Sequence, residues 1–147
     1  MAFALDLSKF IEKAQGNAED VVRKVGTGML AKVVDRSPVG NPDLWKGGGP
    51  AGYVGGRFRG NWQVTFGAPA RDEIARADAS GSATNAAGAA VLASFHGGIS
   101  SIWLANNVPH AYRLEMGHSS QAPLGVAGVT ATEFQSFVDQ AVRELDT

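Results

Sequence analysis

The chain has 147 residues, enough for one domain with its own packed core, and its 13 Lys and Arg residues nearly balance 14 Asp and Glu residues. A net charge of −1 excludes a protein whose whole surface is built to coat nucleic acid or an anionic membrane. Because there is no Cys, disulfides, thiolate metal sites and cysteine nucleophiles are excluded as well. Glycine contributes 19 residues, well above the average share of roughly 7%, so we expect a folded chain with conspicuous loops.

The start of the chain carries no recognisable export signal. The first ten residues lack the basic start and apolar run of a signal peptide. No stretch approaches the roughly 18 uninterrupted apolar residues that a membrane span needs. We therefore expect a soluble chain that is not exported and does not enter a membrane.

The first strong periodicity runs from Asp6 to Asp35. Apolar side chains recur there every three or four residues, which predicts one long amphipathic helix with Asp6 as its N-cap. They are Leu7, Phe10, Ile11, Ala14, Ala18, Val21, Val22, Val25, Met29 and Val33. Pro38 ends this helix, because the residue before proline is pushed out of the α region. Glycine is unfavourable inside a helix, so Gly26 and Gly28 indicate a kink or a close neighbour.

Residues 37–60 hold eight of the 19 glycines and three of the six prolines. This composition predicts a flexible loop at about residues 37–58, of a length that is usually functional in a compact domain. Directly after it, Trp62, Val64 and Phe66 alternate with polar residues, which predicts a half-buried strand over Asn61–Phe66.

Three further elements follow. Small apolar residues predict a short helix over Asn85–Phe95, and alternation predicts a strand over Ser101–Ala105. Helical spacing returns over Thr130–Leu145, where Thr130 and Glu133 have the capping-box pattern of a helix start. The sequence thus predicts a single α+β domain over residues 1–147, with a long N-terminal helix, a small mostly antiparallel sheet, a short middle helix and a C-terminal helix.

The charges are unevenly divided along the chain. Residues 1–70 carry a net charge of +3, whereas residues 71–147 carry −4. The division is either a matter of chance or the mark of complementary surfaces on neighbouring subunits, which would suit a head-to-tail ring.

The sequence has no complete motif for a cofactor or a metal. The run Gly47–Gly52 matches G-x-G-x-x-G, but neither a strand before it nor a helix after it is predicted, so dinucleotide binding is not expected. His110, Glu115 and His118 have no spacing typical of a compact metal site. We therefore expect neither a cofactor nor a bound metal.

A catalytic serine is the alternative that the sequence leaves open. The run Gly117–Gln121 begins like a nucleophile elbow, but Gln121 stands where the sharp turn needs glycine. A small hydrolase would use Ser119 with a histidine, His96 or His110, and Glu115. Because the nucleophile elbow lacks its second glycine, the sequence favours a protein that is not an enzyme.

The run from Asn106 to Gly125, Asn-Asn-Val-Pro-His-Ala-Tyr-Arg-Leu-Glu-Met-Gly-His-Ser-Ser-Gln-Ala-Pro-Leu-Gly, is the most distinctive part of the sequence. It resembles the neck or tail-completion family of long-tailed bacteriophages, related to minor tail protein Z of lambda-like phages. The Arg57–Trp62 run, similar to the start of a strand in that family, and the two terminal helices agree with the family's order. The sequence departs from it at His110, where an aromatic residue is common, and at Met116, where Tyr often stands.

The resemblance implies a structural virion protein that forms a homo-oligomeric ring, six-fold, at the head–tail junction around the DNA channel. Its partners would be tail-terminator, head-closure or adaptor, and tail-tube proteins, with DNA close by; it would reside in the host cytoplasm during assembly. An alternative place in the same particle is that of tail terminator or head closure. Interface residues are expected in and beside two glycine-rich loops, Gly47–Gly56 and Gly117–Gly125. They are Lys46, Tyr53, Arg57, Arg59, Tyr112, Glu115, His118 and Gln121.

Overall fold

The computed structural model describes residues 1–6, 18–41 and 46–145. Within these ranges the chain forms three strands and six helices, which confirms the predicted α+β class. In chain order they are β1 (Ala2–Asp6), α1 (Ala18–Arg36), α2 (Arg57–Gly60), β2 (Trp62–Phe66), α3 (Ser82–Ala93), β3 (Ser101–Asn106), α4 (Ala111–Glu115), α5 (Ala127–Ala131) and α6 (Phe134–Leu145).

The three strands form one antiparallel sheet in the order β1-β3-β2. Leu104 on β3 pairs with Phe3 on one side and with Val64 on the other. Side chains alternate between the two faces of a strand, so these three residues lie on one face, which is buried in the core. The predicted strands β2 and β3 and their inward residues are confirmed.

Helix α1 supplies the largest share of the core through a stripe of buried side chains. Its two interior glycines allow close approach of other helices. A Cβ on Gly26 would lie 2.7 Å from Cδ2 of Leu92 on α3, and one on Gly28 would lie 3.1 Å from Cδ1 of Phe137 on α6. The expected close neighbours are therefore confirmed. The buried residues of the stripe are Val21, Val22, Val25, Met29, Leu30, Val33 and Val34.

The prediction that the first helix begins at Asp6 is wrong at that residue. Asp6 is the last residue of β1, where it pairs with Ser101 of β3. The pairing joins segments about a hundred residues apart, and local periodicity cannot report such a contact. Helical structure is confirmed from Ala18 onward. The part of the prediction over residues 7–17 lies outside the described residues.

The middle helix begins earlier than the sequence predicts. Helix α3 runs from Ser82 rather than from Asn85 and ends at Ala93 rather than at Phe95. Asp78 determines the start, because its carboxylate accepts a hydrogen bond from the N–H of Thr84 in the first turn, at 2.8 Å. The aspartate acts from outside the apolar segment, so the helical pattern alone does not reveal it.

The prediction of one helix over Thr130–Leu145 is wrong at its start, because α5 and α6 meet there. The Oγ1 of Thr130 donates to the carbonyl of Val126 at 2.8 Å, and the carboxylate of Glu133 binds the guanidinium of Arg36 on α1. Neither side chain is available for the expected capping box. From Phe134 onward the helix is confirmed, with Ala141 fully buried.

Residues 57–60 form a single helical turn, α2, instead of leading into a strand in extended form. Two glycines place this turn against residues 76–79. Gly56 has φ of +102° and, like Gly60, it lies so close to that backbone that a Cβ would clash with it. The glycine content of this loop thus has a structural cause at these two positions.

No helix within the three described ranges is both long and apolar enough to cross a membrane.

Candidate functional site

A cavity of about 600 Å³ lies between the two glycine-rich loops. Its walls come from three stretches of chain: the segment after α1, the segment that leads into α2, and the segment that includes α4 and the turn after it. Four of the eight predicted interface residues line it, namely Tyr53, Arg57, His118 and Gln121. The remaining lining residues are Pro38, Val39, Gly40, Asn41, Gly56, Phe58, His110, Leu114, Ser119 and Ser120.

Gln121 joins two walls of this cavity. Its Oε1 accepts a hydrogen bond from the N–H of Val39 at 3.0 Å, and its Nε2 donates to the carbonyl of the same residue at 3.0 Å. The amide therefore satisfies both backbone groups of Val39, as a neighbouring strand would. This double hydrogen bond fixes residues that are 82 positions apart in the chain.

Arg57 presents a guanidinium at the cavity with a fixed orientation. Its Nε donates to Oε1 of Glu73, and this hydrogen bond is the main cause that lowers the pKa of Glu73. Burial opposes the shift less strongly, and the charge attraction of Arg57 adds a smaller lowering. The Arg57 side chain is 51% exposed. Within the described part of the chain its terminal nitrogens Nη1 and Nη2 have no hydrogen-bond partner.

His110 is half-buried beside this ion pair. Its ring lies 6.2 Å from that of Phe58 at an interplanar angle of 48°. Burial lowers the pKa of His110 from its usual 6.5, the Arg57 charge lowers it further, and Glu73 partly opposes the shift. At neutral pH the neutral imidazole is therefore favoured in the folded chain.

We expect His110 to make the folded state less stable in mild acid. Because its pKa is lower in the folded chain than the usual 6.5, the unfolded chain binds the proton more tightly. The free energy of unfolding should fall as the pH drops below about 6.5, and His110→Gln should flatten this part of the profile. Urea denaturation of both proteins between pH 5 and 8 measures the effect. Equal slopes for wild type and variant would contradict the assignment.

The hydroxyl of Ser119 has one hydrogen-bond partner among the described residues. Its Oγ accepts the backbone N–H of Gln121 at 3.2 Å. Although His110 and His118 line the same cavity, no hydrogen bond links Ser119 to a histidine among the described residues. The hydrolase alternative stays a prediction.

Glu115 holds the start of α5. Its Oε2 accepts the N–H groups of Val126 at 3.0 Å and Ala127 at 2.8 Å, while Oε1 accepts that of Gly128 at 2.8 Å. These N–H groups belong to the first turn of the helix, where no intrahelical acceptor exists. The carboxylate of this predicted interface residue is thus engaged inside the subunit.

The other three predicted interface residues lie outside the cavity lining. Arg59 donates to the carbonyls of Asp35, Ser37 and Ala79, so it connects α2 to the end of α1 and to the segment before α3. Lys46 is exposed. Tyr112 is 72% exposed on α4.

Three large apolar side chains, Tyr112, Met116 and Leu124, are exposed within one short stretch of chain; we call them the apolar surface. Tyr112 and Met116 are one helical turn apart. Leu124 lies between two residues with close backbone contacts. The carbonyl of Pro123 contacts Gly117, and Gly125 contacts the carbonyl of Glu115. The backbone contacts at both glycines leave no room for a Cβ, so the loop is packed tightly against the end of α4.

Sequence reasoning missed two acidic residues that shape this part of the molecule. Glu73, the partner of Arg57, lies in an irregular segment with no periodic signal. Asp78 caps α3, and the run Asp78–Ser82, rich in Asp, Ser and Gly before an alanine-rich stretch, is a signal that indicates a helix start.

Comparison with known proteins returns no matching family model, no matching curated protein and no matching solved structure. Among residues 1–6, 18–41 and 46–145, no three histidine or acidic side chains are grouped so that they could hold a metal ion.

Proposed function

We propose that this chain is a structural subunit of the neck of a long-tailed bacteriophage. Copies of it form a ring, six-fold, that completes the tail and joins it to the head around the DNA channel. The ring contacts tail-terminator, head-closure or adaptor, and tail-tube proteins in the virion. Two things support the proposal: the resemblance of residues 106–125 to the tail-completion family, and the way this segment is built.

The observation that carries the proposal is a contrast between the polar and the large apolar side chains of residues 106–125. The polar side chains of Asn106, Glu115 and Gln121 bind backbone groups of the same subunit. The large apolar side chains that remain exposed in this segment are the three of the apolar surface, Tyr112, Met116 and Leu124. Exposed apolar groups on a rigid frame are typical of a surface that is covered in an assembly.

The oligomeric state of the purified chain tests the proposal. Wild-type protein should form a closed oligomer in mass photometry and a ring in negative-stain micrographs. The triple variant Tyr112→Ser, Met116→Ser and Leu124→Ser should remain monomeric, because each substitution removes apolar area that assembly would bury.

Val142 offers a matched control for this experiment. It is 43% exposed on α6, a different element, so Val142→Ser should assemble as the wild type does. Unchanged circular dichroism of the triple variant shows that its fold is intact. A triple variant that forms the same ring as the wild type would contradict the role of the apolar surface.

A further inference from the structure

The cavity between the two loops has the size and the donors of a binding site. A volume of about 600 Å³ falls in the range of sites that enclose a side chain or a small molecule. The side chain of Gln121 and the Oγ of Ser119 bind backbone groups of the same subunit. The guanidinium of Arg57 is different, because its outer edge is not used in the fold.

Glu73 occupies only one edge of that guanidinium. The hydrogen bond at Nε aligns the planar group, while Nη1 and Nη2 have no partner within the described ranges. These two nitrogens form the end-on fork that binds a carboxylate or phosphate through two parallel hydrogen bonds. Because the orientation is already fixed, little conformational entropy is lost when an anion binds there.

Two of the residues that line the same cavity, Ser119 and Ser120, carry backbone donors that the fold does not use. Their N–H groups are successive and have no hydrogen-bond partner in the part of the chain that the structure describes. Unsatisfied successive N–H groups bind anions. Two acceptors beside these N–H groups are already engaged, since Oε1 of Gln121 binds Val39 and Oγ of Ser119 binds the N–H of Gln121. The Arg57 fork and these two N–H groups are therefore donors that the fold leaves available for a ligand.

The local charge favours a carboxylate over a phosphate. Glu73 pairs with Arg57, and the neighbouring His110 is favoured in its neutral form. A carboxylate brings one negative charge to the Arg57 fork, which suits this site better than the two charges of a phosphate dianion. The chain itself supplies carboxylates in excess, because residues 71–147 carry a net charge of −4.

The geometry points to the cavity as a carboxylate-binding site that receives an aspartate or glutamate side chain from a second copy of this chain, through the Arg57 fork and the N–H groups of Ser119 and Ser120. This inference rests on the proposed ring for the source of the carboxylate. The contact is heterologous, since the cavity of one copy binds a different surface of the next, and repeating such a contact closes a ring.

A small dicarboxylate tests the site independently of assembly. Glutarate added to monomeric protein, the triple apolar-surface variant, should cause saturable NMR shifts of the Ser119 and Ser120 amides. Adding Arg57→Gln should weaken this binding about tenfold, and Arg57→Lys, which retains the charge without the fork, should weaken it as well. Arg113→Gln, which changes an exposed arginine outside the cavity lining, should bind as the parent does. Absence of shifts, equal binding by Arg57→Gln, or tighter binding of inorganic phosphate would overturn the carboxylate assignment.

A measurement of association between copies then identifies the source of the carboxylate. In the background with an intact apolar surface, Arg57→Gln should weaken association between copies about tenfold in mass photometry, and Arg143→Gln, which changes an exposed arginine on α6, should not. Glutarate binding together with unchanged association of Arg57→Gln overturns the second copy as the occupant. If the wild-type chain binds glutarate at the Arg57 fork but never associates, the proposed ring and a second copy as the carboxylate source are both contradicted. The carboxylate-binding site itself is supported by that result.

Discussion

Asp78→Ala is expected to lower the free energy of unfolding by about 3 kcal/mol, since hydrogen bonds to a charged group are worth about 1.5–3 kcal/mol each and two of the donors sit at a helix start. Asp78 is 8% exposed and accepts four hydrogen bonds. Its Oδ2 binds the N–H of Thr84 at 2.8 Å and the Oγ1 at 2.7 Å, and its Oδ1 binds the N–H of Gly81 at 3.0 Å and the Oγ of Ser80 at 3.3 Å. Alanine would leave the N–H and the Oγ1 of the buried Thr84 without this acceptor, while the N–H of Gly81 keeps the backbone carbonyl of residue 78. Urea denaturation at pH 7 measures the loss.

The stabilisation that Asp78 contributes depends on pH in a defined direction. Burial raises the pKa of Asp78, but the hydrogen bonds from Thr84, Gly81 and Ser80 together outweigh it and hold the pKa below its usual 3.8. The carboxylate therefore stabilises the fold above about pH 3.8, and this stabilisation is lost as the pH falls through the lower folded-state pKa.

Asp72→Ala is the matched control, because Asp72 is exposed and, within the described ranges, only its backbone carbonyl is used in hydrogen bonds. Its free energy of unfolding should stay within about 0.5 kcal/mol of the wild type. If Asp78→Ala were no more destabilising than this control, the assignment of Asp78 as the cap of α3 would be wrong.

Glu115→Ala should lower the free energy of unfolding by about 2–3 kcal/mol, because three N–H groups at the start of α5 lose a charged acceptor. The loop that carries Leu124 lies between Glu115 and α5, so we expect it to lose its fixed position. Assembly should therefore weaken together with stability. Hydrogen exchange of the Val126, Ala127 and Gly128 amides reports the change locally, and each should exchange faster in the variant.

Glu144→Ala controls for the loss of a glutamate. Glu144 pairs with Lys24 at 3.2 Å on an exposed surface, and such pairs contribute at most about 1 kcal/mol. The amides at the start of α5 should exchange at the wild-type rate in this control. The cap would be refuted by unchanged protection of those amides in Glu115→Ala.

The parts of the fold that follow from local pattern were predictable. The apolar stripe of α1 and the alternation in β2 and β3 each report burial on one face, so the sequence indicated both the element and its inward side. Gly26 and Gly28 indicated either a kink or close neighbours, because glycine is unfavourable inside a helix, and the close neighbours are found.

The errors concern contacts between distant residues. Strand β1 exists because it pairs with β3 about a hundred positions away. The break between α5 and α6 depends on Glu133, which binds Arg36 across 97 positions instead of capping its own helix. Local sequence patterns carry no information about either partner.

The candidate site was predictable in its parts and not in its arrangement. Composition identified both glycine-rich loops, and four expected interface residues in or beside them line one cavity. Their convergence depends on the hydrogen bonds of Gln121 with Val39, and the orientation of Arg57 depends on Glu73. Glu115 was also expected at an interface, but it does not line the cavity. Its carboxylate caps the start of α5 instead.

The proposed neck function is tested most directly by electron microscopy of particles assembled without this chain, in a phage that encodes it. The account predicts filled heads and finished tails that remain separate, and restored virions when the wild-type chain is supplied. The triple variant at Tyr112, Met116 and Leu124 should fail to restore them, whereas Val142→Ser should succeed. Intact, joined virions in the absence of the chain would contradict the proposed function.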